Sequence, residues 1–175
     1  MDNNNWYVMQ IMTGREQVLS QLLNERIDSS ILKECFVPMT KRLSQYRGSW
    51  NEREFVLFPG YLFVISDNID EFYQKLKLIP EFTKILGNDG QGVLPLTTSD
   101  VSLVARFVND DYVMEMSQGI IVNDRVKVMS GPLVGYEGNI VKIDRHKRIC
   151  FIEVEFCGQL SRIKVGLEVI DRITE

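Results

Sequence analysis

The chain has 175 residues, 45% of them apolar and 25% charged, with a formal net charge of −4, which allows one or two packed cores and excludes a helical membrane anchor, since no apolar run approaches the ~20 residues needed to span a bilayer. The start, Met1-Asp2-Asn3-Asn4-Asn5, lacks the basic and apolar regions of a secretory signal. Three cysteines, Cys35, Cys150 and Cys157, show no Cys-x-x-Cys spacing, which argues against a disulfide framework or a zinc site and points to a reducing, cytoplasmic compartment.

In chain order, residues 6–12 (Trp6 to Met12) read as a buried strand turned by Thr13-Gly14. Residues 15–27 form an amphipathic helix with Val18, Leu19, Leu22, Leu23 and Ile27 on one face. Residues 35–38 are short and extended. Residues 41–46 and 50–57 make a hairpin around Arg47-Gly48-Ser49. Residues 61–65 are an apolar strand, and 70–78 a helix that Pro80 stops. Residues 83–86 are expected to be a last strand before the glycine-rich loop 87–92. Thr97, Thr98 and Ser99 offer capping side chains for a helix through Phe107.

This β-α-β-β-α-β order is that of a split βαβ sheet. Residues 1–108 are then one domain, 109–119 a linker with more apolar residues than a free tether needs, and 120–175 a second, all-β domain. Five strand patterns fit the second: 125–129, 139–144, 150–156, 160–164 and 169–172. A barrel closes its own edges, which suits so short a segment.

Two stretches carry a more specific signal. Asn123 to Ile140 alternates polar and apolar residues up to Met129, breaks at Ser130-Gly131-Pro132, and places Gly135 and Gly138 around Tyr136-Glu137. It resembles a KOW motif of small SH3-like barrels. Phe58-Pro59-Gly60-Tyr61 joins two apolar runs. With Trp6-Tyr7-Val8, Phe36-Val37-Pro38 and the KOW-like segment in the same order, the chain from Trp6 to Ile173 resembles the NusG family of transcription elongation factors. The implied fold class is α+β, with an N-terminal split βαβ domain and a C-terminal KOW SH3-like β-barrel.

No catalytic constellation appears. His146 is the single histidine and has no nucleophile elbow to serve. Gly87-Asn88-Asp89-Gly90 lacks the Lys-Ser/Thr of a phosphate-binding loop. The chain therefore reads as a binding protein, not an enzyme, with no cofactor and no metal, and as a monomer. The resemblance implies a pocket for bacterial RNA polymerase at Tyr7, Phe55, Phe58, Pro59 and Tyr61. For Phe55 and Phe58 the competing reading is core packing, because strand residues alternate between two faces. The resemblance also implies that Arg15, Gln17 and Gln21 lie near the non-template DNA strand. A plain solvated helix face is the competing reading there.

Between Arg125 and Arg148, six Lys and Arg stand against Glu137 and Asp144, a local excess of +4 in an acidic chain. Local patches rather than whole-chain charge make a nucleic-acid footprint. Lys142, Arg145, His146, Lys147 and Arg148, with Arg162 and Lys164 nearby, are the candidate RNA-binding residues.

Two departures from the family's general elongation factors bear on function. The polar Asn-Thr-Pro-Gly stretch of those factors is replaced by Lys77-Leu78-Ile79-Pro80-Glu81, and their Ile-Phe-Gly-Arg by Phe156-Cys157-Gly158-Gln159. Both point to a specialised antiterminator paralog that reads nascent leader RNA. The alternative is a general factor coupling polymerase to the ribosome or a termination helicase.

Overall fold

The computed structural model of the chain describes residues 5–83 and 92–174. In chain order its elements begin with β1 (Trp6–Gln10), α1 (Glu16–Arg26), β2 (Glu34–Phe36), β3 (Met39–Tyr46), β4 (Ser49–Val56), β5 (Tyr61–Ile65), α2 (Ile69–Leu76) and α3 (Pro80–Thr83). There follow β6 (Val93–Pro95), α4 (Thr98–Phe107), β7 (Val113–Met114), β8 (Ser117–Val122), β9 (Arg125–Ser130), β10 (Ile140–Asp144), β11 (Ile149–Phe156) and β12 (Gln159–Ile173). A 3₁₀ turn, Glu137–Asn139, precedes β10. The chain separates into two units, Met1–Val37 with Phe58–Ser102, and Pro38–Leu57 with Leu103–Glu175.

The first unit is built on a four-stranded sheet of order β2-β5-β1-β6. β5 lies between β1 and β2, the strands that flank α1, which is the split βαβ arrangement. Val8, Met9, Leu62, Phe63 and Val64 are buried along its centre, each side chain of this size contributing about 1.5–3 kcal/mol. α1 buries Leu19 and Leu23, and Ile27 follows at its C-terminal end. Val18, expected on the same face, is 59% exposed, so the apolar stripe is narrower than the spacing suggests. Asn24 tethers β2 to α1 by a two-way bond. Its amide accepts from the Cys35 N–H at 2.9 Å and donates to the Cys35 carbonyl at 2.7 Å.

Past α2, the expected strand at 83–86 does not begin at Thr83, which closes the helical turn α3. Residues 84–86 lie outside the described residues. Proline is at home in the first position of a helix, so Pro80 opens a new turn as well as ending the old one. The fourth strand is β6, paired to β1 through Tyr7↔Pro95 and Met9↔Val93. Thr97 then caps α4 with reciprocal bonds. Its hydroxyl accepts from the Asp100 N–H at 3.1 Å, and the Asp100 carboxylate accepts from the Thr97 N–H at 3.0 Å.

The second unit joins the β3–β4 hairpin to the C-terminal segment. Arg47 (φ 49°) and Gly48 (φ 81°) form the turn with both central residues at positive φ, as a type I′ hairpin requires. The segment expected to be a linker is instead held in place. Asn109 Oδ1 accepts from the N–H groups of Asp111 and Val113, both at 3.0 Å. β7 then pairs in parallel with β3, and Val113 and Met114 are buried.

β8 starts inside the same segment, at Ser117. It joins a five-stranded sheet of order β10-β11-β12-β8-β9. The two strands expected at 160–164 and 169–172 are one continuous strand, β12, antiparallel to β11 in its first half and parallel to β8 in its second. Gly166, which invites a break between them, is there for closeness. A Cβ on it would lie 2.6 Å from the Lys41 carbonyl oxygen of β3.

Cys35 and Cys150 are buried, and burial pushes both thiols up to about 12. They should stay protonated and inert to a thiol reagent at mildly alkaline pH. Cys157, half-buried in the β11–β12 turn, should react first. Counting modified thiols by mass spectrometry before and after denaturation checks this: one fast site natively, three on unfolding.

Candidate functional site

Three surfaces hold the residues that the sequence points to. The first surrounds the Phe58-Pro59-Gly60-Tyr61 turn. Gly60 sits at φ 85°, so the chain reverses sharply into β5. Glu16, only 3% exposed, holds this turn and the β1–α1 turn together. One carboxylate oxygen accepts from the Gly60 N–H at 2.8 Å and the other from the Gly14 N–H at 2.9 Å. Sequence reasoning missed this residue, because an acid in the first turn of a helix usually faces solvent and favours the helix dipole.

Around that turn Pro59 is exposed, and Tyr7 and Tyr61 are half-exposed on β1 and β5. The Tyr61 hydroxyl accepts from Gln10 Nε2 at 3.1 Å. Phe58 is buried at 3% exposure and packs on Phe63 with ring centroids 5.8 Å apart. It is therefore a core residue that positions the turn. Phe55 belongs to the other unit, with the Arg42 guanidinium 3.7 Å above its ring centroid.

The second surface is a groove along α1. Gln17 and Gln21 line it together with Glu25, and Gln21 donates to the Glu25 carboxylate at 2.8 Å. Arg15 is exposed at the N-terminal end of α1 and is not among the residues lining the groove.

The third surface, within the second unit, gathers most of the basic residues. Sheet register lays Lys142 (β10), Phe151 (β11) and Lys164 (β12) side by side in one row. The Lys142 ammonium lies 5.8 Å from the Phe151 ring centroid. The loop after β10 is fixed by Asp144, whose carboxylate accepts from the Lys147 N–H at 3.0 Å. Arg145, His146 and Lys147 remain exposed on it.

Two of the candidates are engaged elsewhere. Arg162 pairs with Glu153 at 2.8 Å, and Arg148 reaches Glu168 at 3.6 Å while its guanidinium covers the Trp50 ring at 4.5 Å. Beside the loop, His146, Lys147 and Lys164 line a cleft of about 500 Å³ with Arg42, Trp50 and Phe55 of the hairpin. Burial, then the charges of Arg42 and Lys147, lower the pKa of the Lys164 ammonium from its ordinary value.

Arg42 and Trp50 were not legible as site residues. The available signal was a tryptophan standing in a hairpin strand among the exposed residues Asn51, Glu52, Arg53 and Glu54. Among the described residues, no group of His, Cys, Asp or Glu could hold a metal ion, and no helix is long and apolar enough to cross a membrane.

Comparison with known proteins bears on the family and the fold. The family model described as "Transcription termination factor nusG" matches residues 4–105, more than half of the chain, and the KOW motif matches residues 122–155. The Transcription termination/antitermination protein NusG of Campylobacter jejuni is 20% identical over 177 residues, covering 99% of each chain. That of Halalkalibacterium halodurans is 23% identical over 175 residues, covering 97% of this chain and 98% of its own. The Lactococcus lactis protein is 24% identical over 185 residues and 99% of each chain. A solved structure titled "Domain interaction in Thermotoga maritima NusG" shares the fold at a TM-score of 0.51 and 20% identity, over 93% of both chains. A family model spanning most of the first unit, followed by a KOW motif in the second, places the chain in the NusG family of transcription termination/antitermination factors.

Proposed function

We propose that this chain is an operon-specific antiterminator that rides on bacterial RNA polymerase and reads a structured element in nascent leader RNA, as the LoaP kind of NusG paralog does. In this reading Tyr7, Pro59 and Tyr61 anchor the polymerase, aromatic groups in a partly exposed pocket being usual anchors of such interfaces. Arg15, Gln17 and Gln21 face the non-template DNA strand. The five-stranded sheet is the SH3-like barrel of the KOW domain, and its exposed basic loop grips RNA phosphates.

The observation that carries the reading is the row Lys142–Phe151–Lys164 continuing into the exposed loop Arg145-His146-Lys147, an aromatic-basic strip in an otherwise acidic chain. Lys and Arg displace counterions from RNA phosphates, so binding of this kind weakens as salt rises.

The test replaces Lys142, Arg145 and Lys147 with alanine. Arg148 and Arg162 are left in place because they make internal contacts. RNA affinity and terminator read-through should fall together, the salt slope of binding should drop by about one unit per lost phosphate contact, and polymerase binding should be unchanged. A triple variant that reads through terminators at the wild-type level returns the protein to a general elongation-factor role.

A further inference from the structure

Five described cations form side-chain ion pairs with carboxylates, and three of those that form none meet in one place. Lys33, Lys41, Arg148, Arg162 and Arg172 each have a carboxylate partner within 4.0 Å. Arg42, Lys147 and Lys164 have no side-chain ion pair among the described residues, and all three line the same cleft. Arg42 is the most telling of them. Its Nε is buried and has no hydrogen-bond acceptor, and burial lowers the pKa of its guanidinium. A buried donor with no partner is an unfilled demand for an acceptor.

No acidic side chain lines the cleft. Asp144 partly offsets the field at Lys164, but its carboxylate also accepts from the Lys147 backbone. The remaining wall carries the flat apolar groups Trp50 and Phe55 and the neutral hydrogen-bonding groups of Ser44 and Gln45. A volume of about 500 Å³ is in the range of small-ligand sites.

We propose that this cleft takes one nucleotide unit, its phosphate among Arg42, Lys147 and Lys164 and its base against Trp50 and Phe55, and that the nucleotide is an unpaired residue of the bound RNA. The proposal rests on the RNA-reading role of the basic loop and adds the β3–β4 hairpin as half of the site. A guanidinium and an aromatic ring are the surfaces on which proteins stack unpaired bases, and Ser and Gln can read a base edge. A paired duplex offers the loop its phosphates but offers the cleft no free base. The same chemistry would accept a free mononucleotide, so the test has an arm for each source.

The full-length protein is titrated with an unstructured oligoribonucleotide, a blunt RNA duplex of equal length, and AMP, reading labelled-RNA anisotropy and intrinsic tryptophan emission. Trp50→Phe assigns the emission change, since Trp6 remains in that variant. The wild type should bind the single strand with quenching of Trp50. Arg42→Ala and Trp50→Ala should each lose about tenfold in single-strand affinity while keeping duplex affinity. Lys142→Ala with Arg145→Ala should weaken both RNA probes.

If the cleft variants bind every probe like wild type while the loop variant weakens, the loop reading stands and the cleft proposal falls. An equal loss of both RNA probes in the cleft variants also overturns it. AMP quenching of Trp50 in a protein that binds neither RNA supports the cleft chemistry with a free nucleotide as its source, and removes the RNA reading instead. No quenching by any of the three overturns the proposal. Arg42→Lys and Trp50→Phe, which keep charge and aromatic surface, should recover most of the lost affinity in a folded protein.

Discussion

Replacing Gly166 with alanine is expected to destabilise the second unit by about 1–3 kcal/mol and to loosen the β3–β4 hairpin from the sheet. The added Cβ would lie 2.6 Å from the Lys41 carbonyl oxygen and 2.8 Å from Met116 Cγ. The methionine can swing aside. The carbonyl cannot, because β3 is held along its length by β4 and at its start by β7. Relief therefore has to come from moving the strand. That movement would pull Trp50 away from Arg148, whose guanidinium now lies 4.5 Å from the ring. Thermal unfolding should report the lost stability, and Trp50 emission should shift to the red as its ring meets water. A Gly166→Ala protein with wild-type melting temperature and emission would show that the hairpin is free to shift at no cost.

Glu16→Gln should be nearly as damaging as Glu16→Ala, at about 2–3 kcal/mol, although glutamine has almost the same shape. Glu16 accepts through both oxygens, one from Gly60 N–H and one from Gly14 N–H. An amide has one acceptor oxygen. Its NH₂ would face one of the two donors, so either the buried Gly60 N–H or the part-buried Gly14 N–H would lose its partner. Both turns would loosen, including the one that presents Pro59 and Tyr61. Urea unfolding measures the loss. Glu16→Gln with unchanged stability would mean that the turns hold themselves.

Much of the fold was legible where one local pattern decides the structure. β5 spans the residues that its apolar run predicts, and the Arg47-Gly48 turn falls where Gly48 takes a positive φ at no steric cost. The misreadings share another cause, namely that distant partners decide. Gln118-Gly119 looks like a tether, yet β8 pairs with β12 some fifty positions later, and Gly119 permits a close approach to the Lys127 carbonyl. Pro80 reads as a stop, but a proline can equally begin a turn.

The candidate site was legible in part for the same reason. The basic loop is contiguous in sequence, so its charge excess shows in a simple count. Arg42 and Trp50 meet Lys147 and Lys164 only because the hairpin folds with the C-terminal sheet. Phe55 and Phe58 looked alike on paper. Three positions apart, one lines a cleft and the other lies in a core.

β12 also sets an order of events during synthesis. β8 and β9 can pair as soon as both are made, and so can β10 and β11, since each pair is a local hairpin. β12 is the one strand that joins these two ribbons, contacting β11 along residues 159–166 and β8 along 167–173. It is also the last of the five to leave the ribosome. Until it emerges, the nascent chain holds two unjoined hairpins, each marginal by itself. Stretches of the basic surface can form early, but the row from Lys142 to Lys164 is complete only when Lys164 arrives. The row therefore takes shape only once the strand that bridges the two ribbons has been made.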